Sequence, residues 1–171
     1  MRDPRSTPVS SVRRVPSAPQ LRAVCEIEVL LGESRDHGNT RDGHRRFTPI
    51  LGGSLCGIEG SEFETLRADI LPGGGDRQLW RDAEGVSTVE IDASYDAQTE
   101  AGELISVQAS GIRRVSSETT YFMVQLRFET SSAEFAALQQ AVFVADGIRD
   151  ENWVRHTGYL VSAPIYAGDH E

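Results

Sequence analysis

"YFMVQLRFE" (Tyr121–Glu129) alternates between two kinds of residue along its whole length. Phe122, Val124, Leu126 and Phe128 share one parity; Tyr121, Met123, Gln125, Arg127 and Glu129 share the other. Side chains of an extended strand alternate between sheet faces, so this segment has one apolar face and one mixed face. Two geometries follow. In the first the apolar face is core and Arg127–Glu129 is a solvated pair, contributing under ~1 kcal/mol. In the second the strand belongs to a barrel wide enough for a small molecule. The apolar face is then covered by a neighbouring subunit or a helix, and the mixed face lines the lumen.

The same period recurs on both sides. "AVCEIEVLL" (23–31) places Ala23, Cys25, Ile27 and Val29 on one face, and "STVEIDASYDA" (87–97) opposes Val89, Ile91, Ala93 and Tyr95 to Glu90, Asp92, Ser94 and Asp96. Further strands read at 47–58, 63–72, 77–82, 103–114, 141–147 and 153–163, separated by glycine-bearing turns such as "DAEG" (82–85). Short strands at regular spacing with hairpin-length loops predict an all-β chain, an antiparallel β-barrel or sandwich. Residues 32–46, polar and glycine-punctuated, read as a long mobile loop. One short helix is expected near residues 132–140, where "SSAEFAALQQA" offers a capping box of Ser131 and Glu134 ahead of Phe135 and Leu138.

A chain of 171 residues, 39% hydrophobic, supports one core rather than two. The expected organisation is a disordered extension over residues 1–20, rich in proline, serine and arginine, a single domain over 21–166 and a flexible tail over 167–171. The net charge of -9 argues against nucleic-acid or anionic-membrane partners. All 17 basic residues are arginine, which removes lysine-dependent chemistry and leaves anion recognition to guanidinium. Cys25 and Cys56 are too few for a disulfide framework, so reduced thiols and a cytoplasmic location are expected. His37, His44, His156 and His170 lack metal-ligand spacing, and no apolar run approaches the ~18 residues of a membrane span.

"LPGGGDRQLW" (71–80) spends three glycines just before one carboxylate. No helix N-terminus follows, so it is not a phosphate loop. Either the bend presents Asp76 to a cavity, with Gln78 and Trp80 at the same parity, or it is a surface turn in which Asp76 caps backbone amides.

The motifs "RRFTPILGGSLCG" (45–57), "ILPGGGDRQL" (70–79), "IDASYDAQTEAGELISVQASG" (91–111), "YFMVQLRFETSS" (121–132) and "AVFVADGIR" (141–149), in that order, resemble domain of unknown function 3237, a family of small bacterial and fungal proteins. Arg77 and "FAALQQ" stand where the family usually carries tryptophan and an aromatic–Trp–Leu–Asn run. The resemblance implies a calycin-like antiparallel β-barrel, often self-associating into a homo-oligomer. It also implies cofactor-free chemistry: some fungal members resemble cyclases that close an oxygen ring by adding a hydroxyl across an alkene. On that basis the expected function is a cofactor-independent cyclase or isomerase of a small hydrophobic natural-product intermediate. The alternative is a non-catalytic small-molecule-binding barrel.

Ring closure needs one group to take the hydroxyl proton and another to deliver a proton to carbon. Asp76 is the candidate acid or base, and Arg46 or Arg127 would stabilise negative charge on a phenolate or enolate. Tyr121 and Glu129 are candidate relay groups. Phe47, Trp80 and Phe143 would form apolar walls, and Thr48, Gln78, Asp92, Tyr95 and Met123 complete the expected binding set.

Overall fold

The computed structural model describes residues 17–116 and 120–163. Ten strands follow in chain order: β1 (Gln20–Leu31), β2 (Arg35–Thr40), β3 (Gly43–Gly57), β4 (Arg67–Ile70), β5 (Gly75–Ala83), β6 (Val86–Thr99), β7 (Leu104–Val115), β8 (Thr120–Thr130), β9 (Val142–Arg149) and β10 (Trp153–Ser162). All their pairings are antiparallel. The path β1-β10-β9-β8-β7-β6 continues through β4 and β5 to β3, and β3 pairs back onto β1. The sheet is therefore closed into a barrel.

β4 and β5 occupy one position in the ring, end to end between β3 and β6. The glycines of residues 73–75 form the joint between them. Gly73 takes a φ of +119°, which side chains rarely adopt. A Cβ on Gly74 would meet the Ser94 carbonyl oxygen at 2.5 Å and Tyr95 Cβ at 2.6 Å, and one on Gly75 would strike the Phe47 ring. The joint lets the chain step across the ring position and restart as β5 with Asp76 facing inward.

Parity holds around the barrel, with inward residues buried and outward ones exposed. Along β8, Phe122, Val124, Leu126 and Phe128 are buried inside and Gln125, Arg127 and Glu129 are exposed outside. The first geometry is thus the observed one. One end of the barrel is filled. There Phe143 meets Phe128 edge-on at 5.3 Å and Phe63 at 6.1 Å, while Leu66, Phe135 and Leu138 close the layer.

Three local expectations are corrected. Residues 32–46 hold β2 and the start of β3, a hairpin rather than a mobile loop; Thr40 Oγ1 accepts from the Asp42 amide and donates to the Gly43 carbonyl across its turn. The strand expected over 63–72 shrinks to the four residues of β4, because Ser61, Phe63 and Leu66 are taken up in turns. The helix is a single 3-10 turn, Ala136–Gln139. Its capping box does not form: Ser132, not Ser131, receives the Phe135 amide, and Glu134 accepts instead from Thr65 Oγ1 at 2.9 Å. The extension expected over 1–20 and the tail over 167–171 lie outside the described residues, apart from the lead into β1. Among the described residues no helix is long and apolar enough to cross a membrane, and both cysteines are free.

Candidate functional site

The barrel end opposite the aromatic plug holds a cavity of about 40 Å³, whose wall combines Val29, Leu31, Ile50, Ile91, Ala93, Ala109, Phe122 and Val154 with six polar side chains. Those six are Asp76, Gln78, Tyr95, Arg113, Arg149 and His156. Every one of them sits at inward parity, which is why polar chemistry converges inside an otherwise apolar lumen.

Asp76 is 7% exposed. The β5–β6 ladder pairs Asp76 with Ala93 and resumes only at Leu79 with Glu90. In that gap the Asp92 amide donates to Asp76 Oδ1 at 3.0 Å, so the carboxylate takes the place of a strand carbonyl. Gln78 Nε2 donates to Asp76 Oδ2 at 2.7 Å, and Trp80 Nε1 donates to Gln78 Oε1 at 2.9 Å. Residues i, i+2 and i+4 of one strand face thereby form a hydrogen-bonded row. Burial pushes the Asp76 carboxyl above the usual carboxylate range, although Gln78, the Asp92 amide and the Arg149 charge pull the other way.

His156 is buried on β10, its ring in a T-shaped contact with Phe122 at 5.1 Å between centroids. Its Nδ1 lies 2.9 Å from the Asp146 carbonyl oxygen. A carbonyl only accepts, so Nδ1 carries the proton and Nε2 is left as the acceptor of a neutral ring. Burial lowers the imidazole pKa and keeps it neutral, with Asp146 opposing. Arg113 on β7 and Arg149 at the end of β9 are half-buried. Burial lowers the pKa of both; the Arg149 charge adds to this at Arg113, and Asp76 opposes it at Arg149. Tyr95, 4% exposed, keeps its phenol protonated because burial raises its pKa. Among the described residues no three of His, Cys, Asp and Glu converge as metal ligands would.

Of the residues singled out in the sequence, the structure brings Asp76, Gln78 and Tyr95 together in the cavity. Trp80 and Arg46 stand beside it: the Arg46 guanidinium lies 4.7 Å from the centre of the Trp80 ring, and its Nε lies 3.7 Å from Asp36 Oδ2. Thr48 points inward but is sealed at 1% exposure, its hydroxyl 2.7 Å from that of Ser34.

The others are corrected. Arg127 and Glu129 face solvent, with side chains 71% and 64% exposed, and pair with each other at 3.6 Å. Tyr121 and Met123 share their outward parity, Tyr121 lying under the Arg114 guanidinium. Phe47 and Asp92 line a groove on the outer surface with Arg77, and Phe47 is flanked by Arg35 and Arg77. Phe143 belongs to the aromatic plug, not to the cavity. For all but Phe143, which faces inward at the filled end, the physical reason is the same: the apolar face of a barrel strand is drawn inward, and the other face is left to water. The substitution at Arg77 therefore alters the outside of the barrel.

Arg113, Arg149 and His156 were not singled out. Each carries a signal all the same: Arg113 follows Ile105, Val107 and Ala109 at their parity, Arg149 follows Phe143 and Ala145, and His156 follows Val154. An ionisable side chain on the apolar parity of a strand marks a polar group turned inward.

The family model for "Protein of unknown function (DUF3237)" matches residues 19–163. The chain belongs to this family. Within it, a UPF0311 protein of Rhodopseudomonas palustris is 29% identical over 144 residues, 76% of this chain and 88% of that one. The crystal structure of a beta-barrel like protein from Acinetobacter baumannii superimposes with a TM-score of 0.74 at 31% identity, covering 88% of this chain and all of that one. A Penicillium roqueforti protein named PR-toxin biosynthesis cluster protein 7 is 40% identical over 70 residues, 36% of this chain and 38% of its own. The chain thus has bacterial and fungal relatives.

Proposed function

We propose that this barrel is a cofactor-independent cyclase or isomerase that moves a proton within a small hydrophobic natural-product intermediate. The observation that carries the reading is Asp76: a buried carboxyl with a raised pKa, oriented by two fixed donors and facing a cavity that also contains neutral His156. A carboxyl poised nearer neutrality both takes and returns protons more effectively than an ordinary surface aspartate. The partial likeness to a protein named for a toxin biosynthesis cluster supports a natural-product substrate.

In a ring closure the substrate hydroxyl forms the new C–O bond and yields its proton to His156 Nε2, the free acceptor of the neutral ring. The far alkene carbon takes up the proton of the Asp76 carboxyl, and return of the captured proton from His156 to Asp76 resets both groups, so nothing is gained or lost overall. Arg149, close enough to Asp76 to pull on its charge, stabilises negative charge that develops on a conjugated oxygen. The chain fold of the substrate, held by the apolar wall, supplies the proximity term.

The test is solvent deuterium uptake. Incubated in heavy water with a phenolic alkene, the protein should yield product labelled at the protonated carbon, and Asp76→Asn should cut that rate by about 10²–10⁴-fold. Unchanged labelling in the variant would remove Asp76 from the chemistry. Recovery of unmodified ligand from the wild-type protein after long incubation would favour the second reading, a non-catalytic binding barrel.

A further inference from the structure

The polar groups of the cavity do not balance one another. Two guanidiniums, Arg113 and Arg149, face a single carboxylate, and that carboxylate is already engaged by Gln78 and by the Asp92 amide. His156 contributes no charge, because burial keeps its ring neutral against the pull of the Asp146 carbonyl on its Nδ1 proton. Two buried donors are left over: among the described residues the Tyr95 hydroxyl and Arg113 Nε have no hydrogen-bond partner. A folded protein rarely leaves such groups unmet without a reason, because each gives up its hydration for nothing.

What these leftover groups share is a sign. A guanidinium only donates, and the phenol of Tyr95 is held in its protonated, donating form. We propose that the cavity receives an oxyanion of the ligand, a carboxylate or the charged oxygen of a conjugated phenolate or enolate, held by Arg113, Arg149 and the Tyr95 hydroxyl. This rests on the cavity being the ligand site of the reaction proposed above, and it adds that the ligand arrives already charged. The two guanidiniums repel each other when the site is empty and share one anion when it is filled, so the charge preference is built into the barrel. A cavity of about 40 Å³ admits such a head group, and the apolar body of the ligand then extends toward Trp80 and Arg46 at the rim.

The test uses the full chain and matched pairs of probes by titration calorimetry. Benzoate against benzamide reads the carboxylate source; 4-nitrophenolate against 4-nitroanisole reads the conjugated oxygen. In at least one pair the charged probe should bind about tenfold or more tightly than its neutral partner. Arg113→Gln and Arg149→Gln should each lose about tenfold in that affinity, and Arg149→Lys, which keeps the charge, should recover part of it. Arg113→Gln should melt no lower than wild type without ligand, since it removes one of two like charges. Equal affinity within both pairs, or full affinity in both glutamine variants, would overturn the proposal. Asp76→Asn separates the two ideas. It should abolish deuterium uptake yet bind the anion as well as wild type or better. Lost uptake without any charge preference would sink the anion site alone; a charge preference with Asp76-independent uptake would sink the acid–base reading alone.

Discussion

Trp80 can only donate, and that fact orients the residues beside it. Its Nε1–H fixes the oxygen of Gln78, which turns the Gln78 amide nitrogen toward Asp76, so the row runs one way. Replacing Asp76 by asparagine keeps an acceptor for the Asp92 amide but sets two NH₂ groups against each other, and flipping Gln78 would leave Trp80 facing a donor. Trp80→Phe should therefore lower activity through a shifted pH profile while leaving the fold intact, which pH-dependent rates would show. Stability should follow pH with two opposite signs. The Asp76 carboxyl has a raised pKa in the folded state, so its contribution is complete below about 4, the ordinary value, and is lost as pH rises through the folded value. The depressed His156 does the reverse: its contribution is complete above about 6.5 and declines as pH falls toward the folded value. Melting curves between pH 4 and 8 should show Asp76→Asn gaining on wild type as pH rises, and a slope of the other sign would contradict the raised carboxyl. At this scale Asp76 and Gln78 were legible because a glycine run and a shared parity announce them. Arg127 misled because a charged residue beside aromatics looks like a pocket until the direction of the apolar face is known.

Between β4 and β5 the chain changes lane without leaving its ring position, and the three glycines are the means. Their tolerance differs. Gly74 faces backbone of β6, which cannot yield, whereas Gly75 faces the end of the Phe47 ring, which can swing outward. Gly74→Ala should cost about 1–3 kcal/mol by urea unfolding and misplace Asp76, with Gly75→Ala costing less. A reversed order would mean that Phe47 is the more rigid neighbour. Most strands could be read from their alternation, because burying one face of a sheet imposes a period of two on the sequence. β2 could not: "RDHGNT" is exposed at nearly every position, so no core face wrote a pattern into it. The capping signal at Ser131 failed for a related reason. Glu134 finds a better-placed partner in Thr65, and local propensity gives way to that tertiary contact.

Seen whole, the barrel divides its labour between its two ends. The plug, built on Phe63, Phe128, Phe143 and Leu138, supplies packing; the cavity end carries the groups that stay unpaired. Phe143→Ala should accordingly cost about 3–5 kcal/mol in chemical unfolding while leaving anion affinity near wild type. Arg127→Met, on the outside, should change neither by a measurable amount, its pair with Glu129 being solvated. The ring itself is sealed by β1, which lies between β3 and β10 and pairs Gln20 with Ser162. A nascent chain can therefore pair β1 with β3 early, but the other edge of β1 has to wait until β10 has cleared the ribosome. Joining the two ends by a linker and reopening the chain at the Glu84–Gly85 turn would make those partners near neighbours in sequence, and such a circular permutant should close its barrel faster than the natural order allows.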